Sequence, residues 1–132
     1  MNRHPVSLLD TSAVIDFPAE AADRHAAEHA ISSITLAELS FGVHCTNVVE
    51  SARRQERLVE IRSTLDVIPF DSPCAQTYGA LRALVLRLRR DPRPRRMDLM
   101  IAAVAGVHQL PLLTRNPKDF TALESVVDVI AV

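Results

Sequence analysis

The 132-residue chain has three glycines, two cysteines, one lysine and no tryptophan, and each scarcity removes a class of function. Gly42, Gly79 and Gly106 stand apart, so no G-x-G-x-x-G or G-x-x-x-x-G-K run cradles a nucleotide phosphate. Cys45 and Cys74 are too few for a disulfide scaffold or a zinc site. They read as free thiols, which points to a reduced, cytoplasmic setting. The apolar stretch near the N-terminus stops after about three residues, short of the ~7–15 of a signal-peptide core. No run reaches the ~18 apolar residues of a membrane span. Aromatics are 4% of the chain, and Phe17, Phe41, Phe70, Phe120 and Tyr78 fall mostly on core stripes, so base stacking is not an evident means of holding nucleic acid. The net charge of −1 gives no global field, and only local charge can mark a polyanionic partner.

What is present is an ordinary globular balance, 48% hydrophobic and 23% charged, over a length that suits one domain spanning residues 1–132. Residues 6–9 form a short apolar run, as a buried parallel strand does. A helix over 12–16 is interrupted by Pro18, and 18–30 reads as a short helix or connector. A second strand is predicted at 31–34, a helix at 35–45, and an amphipathic helix at 48–65 in which Glu50 can pair with Arg54. A third strand at 66–70 leads to a helix opened by Ser72 and Pro73. That helix ends in RLRRDPRPRR, where Pro92 and Pro94 break it. Residues 98–109 are apolar nearly all round and predict a central buried helix. Strands at 112–114 and 126–132, with a turn at 116–120 between them, complete an alternation that implies a parallel sheet of four to five strands with helices on both faces.

Ligands of such sheets bind outside the carboxyl ends of the strands. Asp10 closes the first strand, Glu38 lies one turn into the helix after the second, Asp98 opens the buried helix, and Asn116 and Asp119 follow the fourth strand. Each has a structural alternative. Thr35-x-x-Glu38 is a capping box, Asp98 is a good N-cap, and Asp119 can cap or pair with Lys118. Asp71 shows that such acids also occur without chemistry. Capping does not require three acids on one sheet edge, however, and Asp10, between Leu9 and Ala13, enters a half-buried setting that needs a cation or several donors. Thr11, Ser12 and Thr114 stand beside the acids and can orient Asp10 or a water. They can equally be turn-forming hydroxyls. The five histidines show no metal-ligand spacing.

The segments LLDTSAVID, ITLAELSFG and RRMDLMIAAVAGVHQLPLLTRNPKDF, in this order, resemble the PIN-domain ribonucleases, and among them the VapC toxins of bacterial type II toxin–antitoxin pairs. The likeness runs from Val6 to Phe120. It implies a three-layer fold with a central parallel sheet and an acidic pocket that holds Mg²⁺ or Mn²⁺ and cuts single-stranded segments of structured RNA. Carried over by position, Asp10, Glu38 and Asp98 match the three central acids. The fourth position departs: many family members have an acid where this chain has Asn116, which leaves Asn116 and Asp119 as the alternatives for a fourth ligand. The resemblance also implies a homodimer and a cognate antitoxin laid over the active site, and the apolar stripes at 35–45 and 48–65 exceed what one small sheet needs.

Seven arginines and one acid lie between Arg82 and Arg96, directly before Asp98. Beside a metal pocket this cluster can track a phosphate backbone, with Arg89, Arg93, Arg95, Arg96 and the later Arg115 as the expected RNA contacts. Pairing with acids of the protein partner is the competing reading. Two other functions are weighed against the nuclease. A non-catalytic PIN-like binding module is favoured by Asn116 and opposed by the intact acids. A phospho-receiver domain needs an adjacent acidic pair after the first strand, where Asp10 stands alone.

Overall fold

The computed structural model describes residues 3–132; residues 1 and 2, part of the charged N-terminal start, lie outside the described residues. Five strands form one sheet: β1 (His4–Leu9), β2 (Ala26–Ser32), β3 (Asp66–Ile68), β4 (Leu112–Thr114) and β5 (Val129–Ala131). Their order is β3-β2-β1-β4-β5, and every pairing is parallel. Six α-helices accompany them: α1 (Thr11–Ile15), α2 (Ala19–His25), α3 (Ser33–Val43), α4 (Val48–Thr64), α5 (Ser72–Arg87) and α6 (Arg96–His108). Two 3₁₀ turns, Arg93–Arg95 and Pro117–Leu123, precede α6 and follow β4. The expected parallel sheet with helices on both faces is the observed architecture. Among the described residues, no helix is long and apolar enough to cross a membrane.

Strand alternation divides the core. Leu8, Ala30 and Leu112 pack with α5, α6 and Phe120, while Leu9, Ile31 and Leu113 pack on the other face with Ala13, Val14 and Ile61. Helix α6 buries Leu99 and all five residues from Ile101 to Ala105, as its all-round apolar sequence requires. Asp71 caps α5 by accepting the Cys74 N–H at 3.3 Å, and those Cys74 contacts hold its carboxyl below the usual range. Helix α6 ends on Gln109, which takes a left-handed φ of 53°. The next amide, of Leu110, bonds back to the Ala105 carbonyl at 3.0 Å.

The second strand departs from expectation. It begins at Ala26, not Ile31, and Ile34 belongs to α3. Glu28 and His29 hid it, because a polar pair inside a strand breaks the apolar run. His29 is nevertheless well placed, bonded to Ser7 Oγ at 2.6 Å and to Asp23 at 2.8 Å. Pro69 follows β3 directly and cannot donate to a ladder, so the third strand is three residues rather than five. The last strand is likewise confined to Val129–Ala131.

The helices α3 and α4 also differ from a simple core-facing pair. Only Thr35 and Val43 of α3 and Ile61 of α4 are buried, whereas Phe41, Val48 and Val49 are 80%, 82% and 69% exposed. Glu50 and Arg54 pair as expected, at 3.1 Å.

Candidate active site

Sheet order locates the crevice. From β1 the chain proceeds outward to β2 and β3, then crosses back to β4 on the other side, so the topological switch lies between β1 and β4. The residues that leave the carboxyl ends of these two strands are Asp10 and the Thr114–Asn116 segment.

Asp10 is 4% exposed and N-caps α1. One carboxylate oxygen accepts the Ala13 N–H at 2.9 Å and the Ser12 hydroxyl at 2.7 Å. The other accepts the hydroxyl of fully buried Thr114 at 2.5 Å. Thr114 Oγ1 in turn accepts the Asn116 N–H at 2.9 Å, and Ser12 Oγ accepts the Arg115 N–H at 3.2 Å. A buried carboxylate thereby gains three donors, which answers the cost of removing it from water.

Glu38 is half-buried on α3. Thr11 donates its hydroxyl to Glu38 Oε1 at 2.6 Å, and Thr35 Oγ1 lies 3.1 Å from the same hydroxyl. The expected capping box is absent. Ser32 caps α3 by accepting the Thr35 N–H at 3.2 Å, so the helix starts a residue after β2 ends and Glu38 is left for the crevice. Asp98 is likewise not an N-cap: α6 starts at Arg96, and Asp98 stands in its first turn.

Burial pushes the Asp98 carboxyl up to about 6, with Asp119, Asp10 and Glu38 adding repulsion and Arg95 acting against them. Asp98 is thus close enough to the other three acids to feel each of them. Among the described residues, no three Asp, Glu, His or Cys side chains form a group that could hold a metal ion as they stand. The donor chemistry nevertheless fits a hard divalent cation: oxygen ligands only, with crowded negative charge. Asp119, in the turn after β4, is paired with Arg95 at 3.0 Å. Asn116 is exposed, and its side chain does not cap the turn that it opens.

The predicted RNA contacts separate. Arg115 is tied to Asp16 at 3.1 Å and to the Val132 carbonyl at 2.9 Å, while Arg93 is paired with Asp91 at 3.0 Å. Arg89 is exposed, in a left-handed conformation at φ 58° after α5, and Arg96 is exposed at the start of α6. Two grooves flank the acids. One, of about 410 Å³, includes Arg90, Arg95, Lys118 and Asp119 in its wall. The other, of about 300 Å³, runs between α1, α3 and α4 past Thr11, Glu38 and Leu39. The residue that sequence reasoning missed is Arg57 of α4, whose guanidinium binds the Val14 and Ile15 carbonyls at the end of α1. No pattern in the sequence signals that contact.

A wholly parallel sheet with carboxylates gathered at its switch point defines an acid-site α/β domain. The chain belongs to the PIN-domain family, whose model matches residues 7–125. It is 35% identical over 102 residues to ribonuclease VapC5 of Mycobacterium tuberculosis, covering 76% of this chain and 72% of that one. To ribonuclease VapC2 of Rickettsia felis it is 34% identical over 98 residues, covering 74% and 70%. Among solved structures, the toxin–antitoxin complex VapBC-5 of M. tuberculosis matches with a TM-score of 0.81 at 31% identity, over 96% of this chain and 97% of that chain. VapBC2 of R. felis, bound to a DNA fragment from its promoter, matches at 0.77 and 27% identity, over 96% and 98%.

Proposed function

We propose that the chain is a divalent-metal-dependent endoribonuclease and the toxin of a toxin–antitoxin pair, cleaving structured RNA at single-stranded segments. The observation that carries this reading is the crowding of half-buried Asp98 by the charges of Asp119, Asp10 and Glu38 at the β1/β4 crevice, which adds to burial in raising its carboxyl to about 6. Structural capping explains none of that crowding at Asp98. Similarity to ribonucleases named VapC supports the reaction class.

Asp10, Glu38 and Asp98 are the residues that would hold Mg²⁺ or Mn²⁺, with Asp119 better placed than Asn116 to add a fourth acid. When bound, the cation supplies charge that draws electron density from the phosphodiester and activates water for attack. The chain itself orients the ligands. Ser12, Thr114 and the Ala13 amide fix Asp10, and Thr11 fixes Glu38. Arg89, Arg93, Arg95, Arg96 and Arg115 are the proposed contacts for the RNA backbone, with Arg93, Arg95 and Arg115 free to make them only on leaving Asp91, Asp119 and Asp16.

Exposed Phe41, Val48 and Val49 on α3 and α4 are the surface proposed for the homodimer and the antitoxin. The solved relatives VapBC-5 and VapBC2 are themselves toxin–antitoxin complexes. The decisive experiment incubates purified protein with RNA in Mg²⁺, Mn²⁺ or EDTA. Cleavage in metal, lost in EDTA and reduced at least ~10²-fold by Asp10→Asn, is expected. Cleavage that survives excess EDTA refutes the metal mechanism.

A further inference from the structure

The arginine run before α6 does not act as one surface. Arg82 donates to the Tyr78 hydroxyl at 3.2 Å, and Arg93 is held by Asp91 within its own turn. Arg95 turns the other way. One guanidinium nitrogen lies 3.0 Å from Asp119 Oδ1 and another 4.0 Å from Asp98 Oδ2, so a single side chain spans two of the crowded acids. Asp119 is the charged neighbour that most opposes ionisation of Asp98, and Arg95 offsets it. A guanidinium stays protonated at any physiological pH, so its effect does not switch off by titration.

Position and exposure define what else Arg95 can do. It ends the 3₁₀ turn Arg93–Arg95, and Pro92 and Pro94 restrict the backbone leading to it. Its side chain is 54% exposed, against 22% for Asp119 and 27% for Asp98. Arg95 also lines the groove shared with Arg90 and Lys118. A half-exposed ion pair is weak. A doubly charged cation that prefers oxygen can replace it, and the released guanidinium then faces a groove with two further cationic side chains.

We propose that Arg95 is an internal counter-cation of the acidic pocket. In the metal-free protein it pairs with Asp98 and Asp119 and competes with a divalent cation for them. Once displaced, it turns into the Arg90–Lys118 groove and holds a phosphate of the RNA backbone. This inference rests on the metal-dependent ribonuclease reading above.

The test compares wild type, Arg95→Gln, Arg95→Lys and Arg93→Gln by Mn²⁺ titration of the RNA-free protein, followed calorimetrically or by electron paramagnetic resonance. Steady-state cleavage of RNA gives the second readout. Arg95→Gln is expected to tighten Mn²⁺ binding about two- to fivefold, the worth of a part-exposed ion pair, and to raise KM for RNA. Arg95→Lys restores both values part of the way. Arg93→Gln removes the same charge from the same turn, where it is paired with Asp91, and leaves Mn²⁺ affinity near wild type. Opposite signs in the two readouts separate competition from a structural staple, whose loss weakens metal and RNA binding together. Mn²⁺ affinity unchanged or weakened in Arg95→Gln overturns the proposal alone. Absence of Mn²⁺ binding in wild type and variants alike overturns the proposal together with the metal reading.

Discussion

Asp98→Asn should stabilise the metal-free protein while destroying its activity. A folded-state pKa of about 6, against the ordinary aspartate value of about 3.9, means that the native state holds the proton more tightly than the unfolded chain. Stability from this group is therefore greatest at low pH and falls as pH rises through the window from about 4 to about 6. Above that window the ionised carboxylate carries the full penalty. A difference of that size corresponds to about 3 kcal/mol at most. The side chain is 27% exposed, and solvent therefore screens part of the burial penalty and of the repulsion, so about 1–2 kcal/mol is the realistic gain for the neutral amide at pH 7.5. For a domain of this length that is a rise in Tm of roughly 3–8 °C. The assay is thermal and urea unfolding of both proteins in EDTA at pH 7.5 and at pH 4, where the difference should shrink toward zero. Added Mg²⁺ should raise the Tm of wild type more than that of the variant, since only the native carboxylate site gains by mass action. A variant less stable than wild type at pH 7.5 in EDTA, or a difference independent of pH, refutes the argument from burial and repulsion.

Thr114→Val preserves shape but removes the donor to Asp10 and the acceptor of the Asn116 amide, so a loss of about 1–3 kcal/mol in urea unfolding is expected. RNA cleavage, measured beside it, should fall by at least ~10-fold as Asp10 loses its fixed orientation. Asp119→Ala should weaken Mn²⁺ binding more than Asn116→Asp strengthens it in calorimetric titration; the reverse ranking would make Asn116 the fourth position. Gln109→Gly should raise stability by about 0.5–1 kcal/mol in thermal unfolding, because glycine adopts the left-handed conformation at the end of α6 without steric cost.

Much of the fold was legible because strands that end in an acid or a turn residue, followed by helices with apolar stripes, allow few other arrangements. That Asp10 and Glu38 come near Asp98 was legible for a related reason: Asp10 follows β1 directly, and Glu38 and Asp98 stand in the N-terminal halves of helices α3 and α6. Local chemistry was harder to assign. Ser32 and Thr35 both offer an N-cap three residues before an amide, and only the register of β2 decides that Ser32 takes the role. Glu28 and His29 masked half a strand because a polar pair breaks the apolar run, and the partners that accommodate His29, Ser7 on β1 and Asp23 on α2, lie on other elements. Arg95 and Asp98 have a helical i, i+3 spacing, yet the stronger partner is Asp119, 24 positions on, which no periodicity links to Arg95.

The acids also differ in how firmly the fold holds them, and that order carries a mechanistic consequence. Asp10 has three donors, and Glu38 has one hydroxyl. Asp119 has a half-exposed guanidinium, and Asp98 has only the edge of the same group at 4.0 Å. Asp10 is therefore a fixed reference point anchored across β1 and β4, whereas Asp98 is the group whose energy changes most when positive charge arrives. Burial and repulsion concentrated on the least restrained carboxylate give a cation the largest gain at the smallest structural displacement, since the sheet and the hydroxyls around Asp10 need not move. Substitutions at Asp10 should consequently damage stability and activity together, while those at Asp98 separate the two. Comparing urea unfolding with cleavage for Asp10→Asn and Asp98→Asn tests this ordering, and equal stability losses at both positions would contradict it.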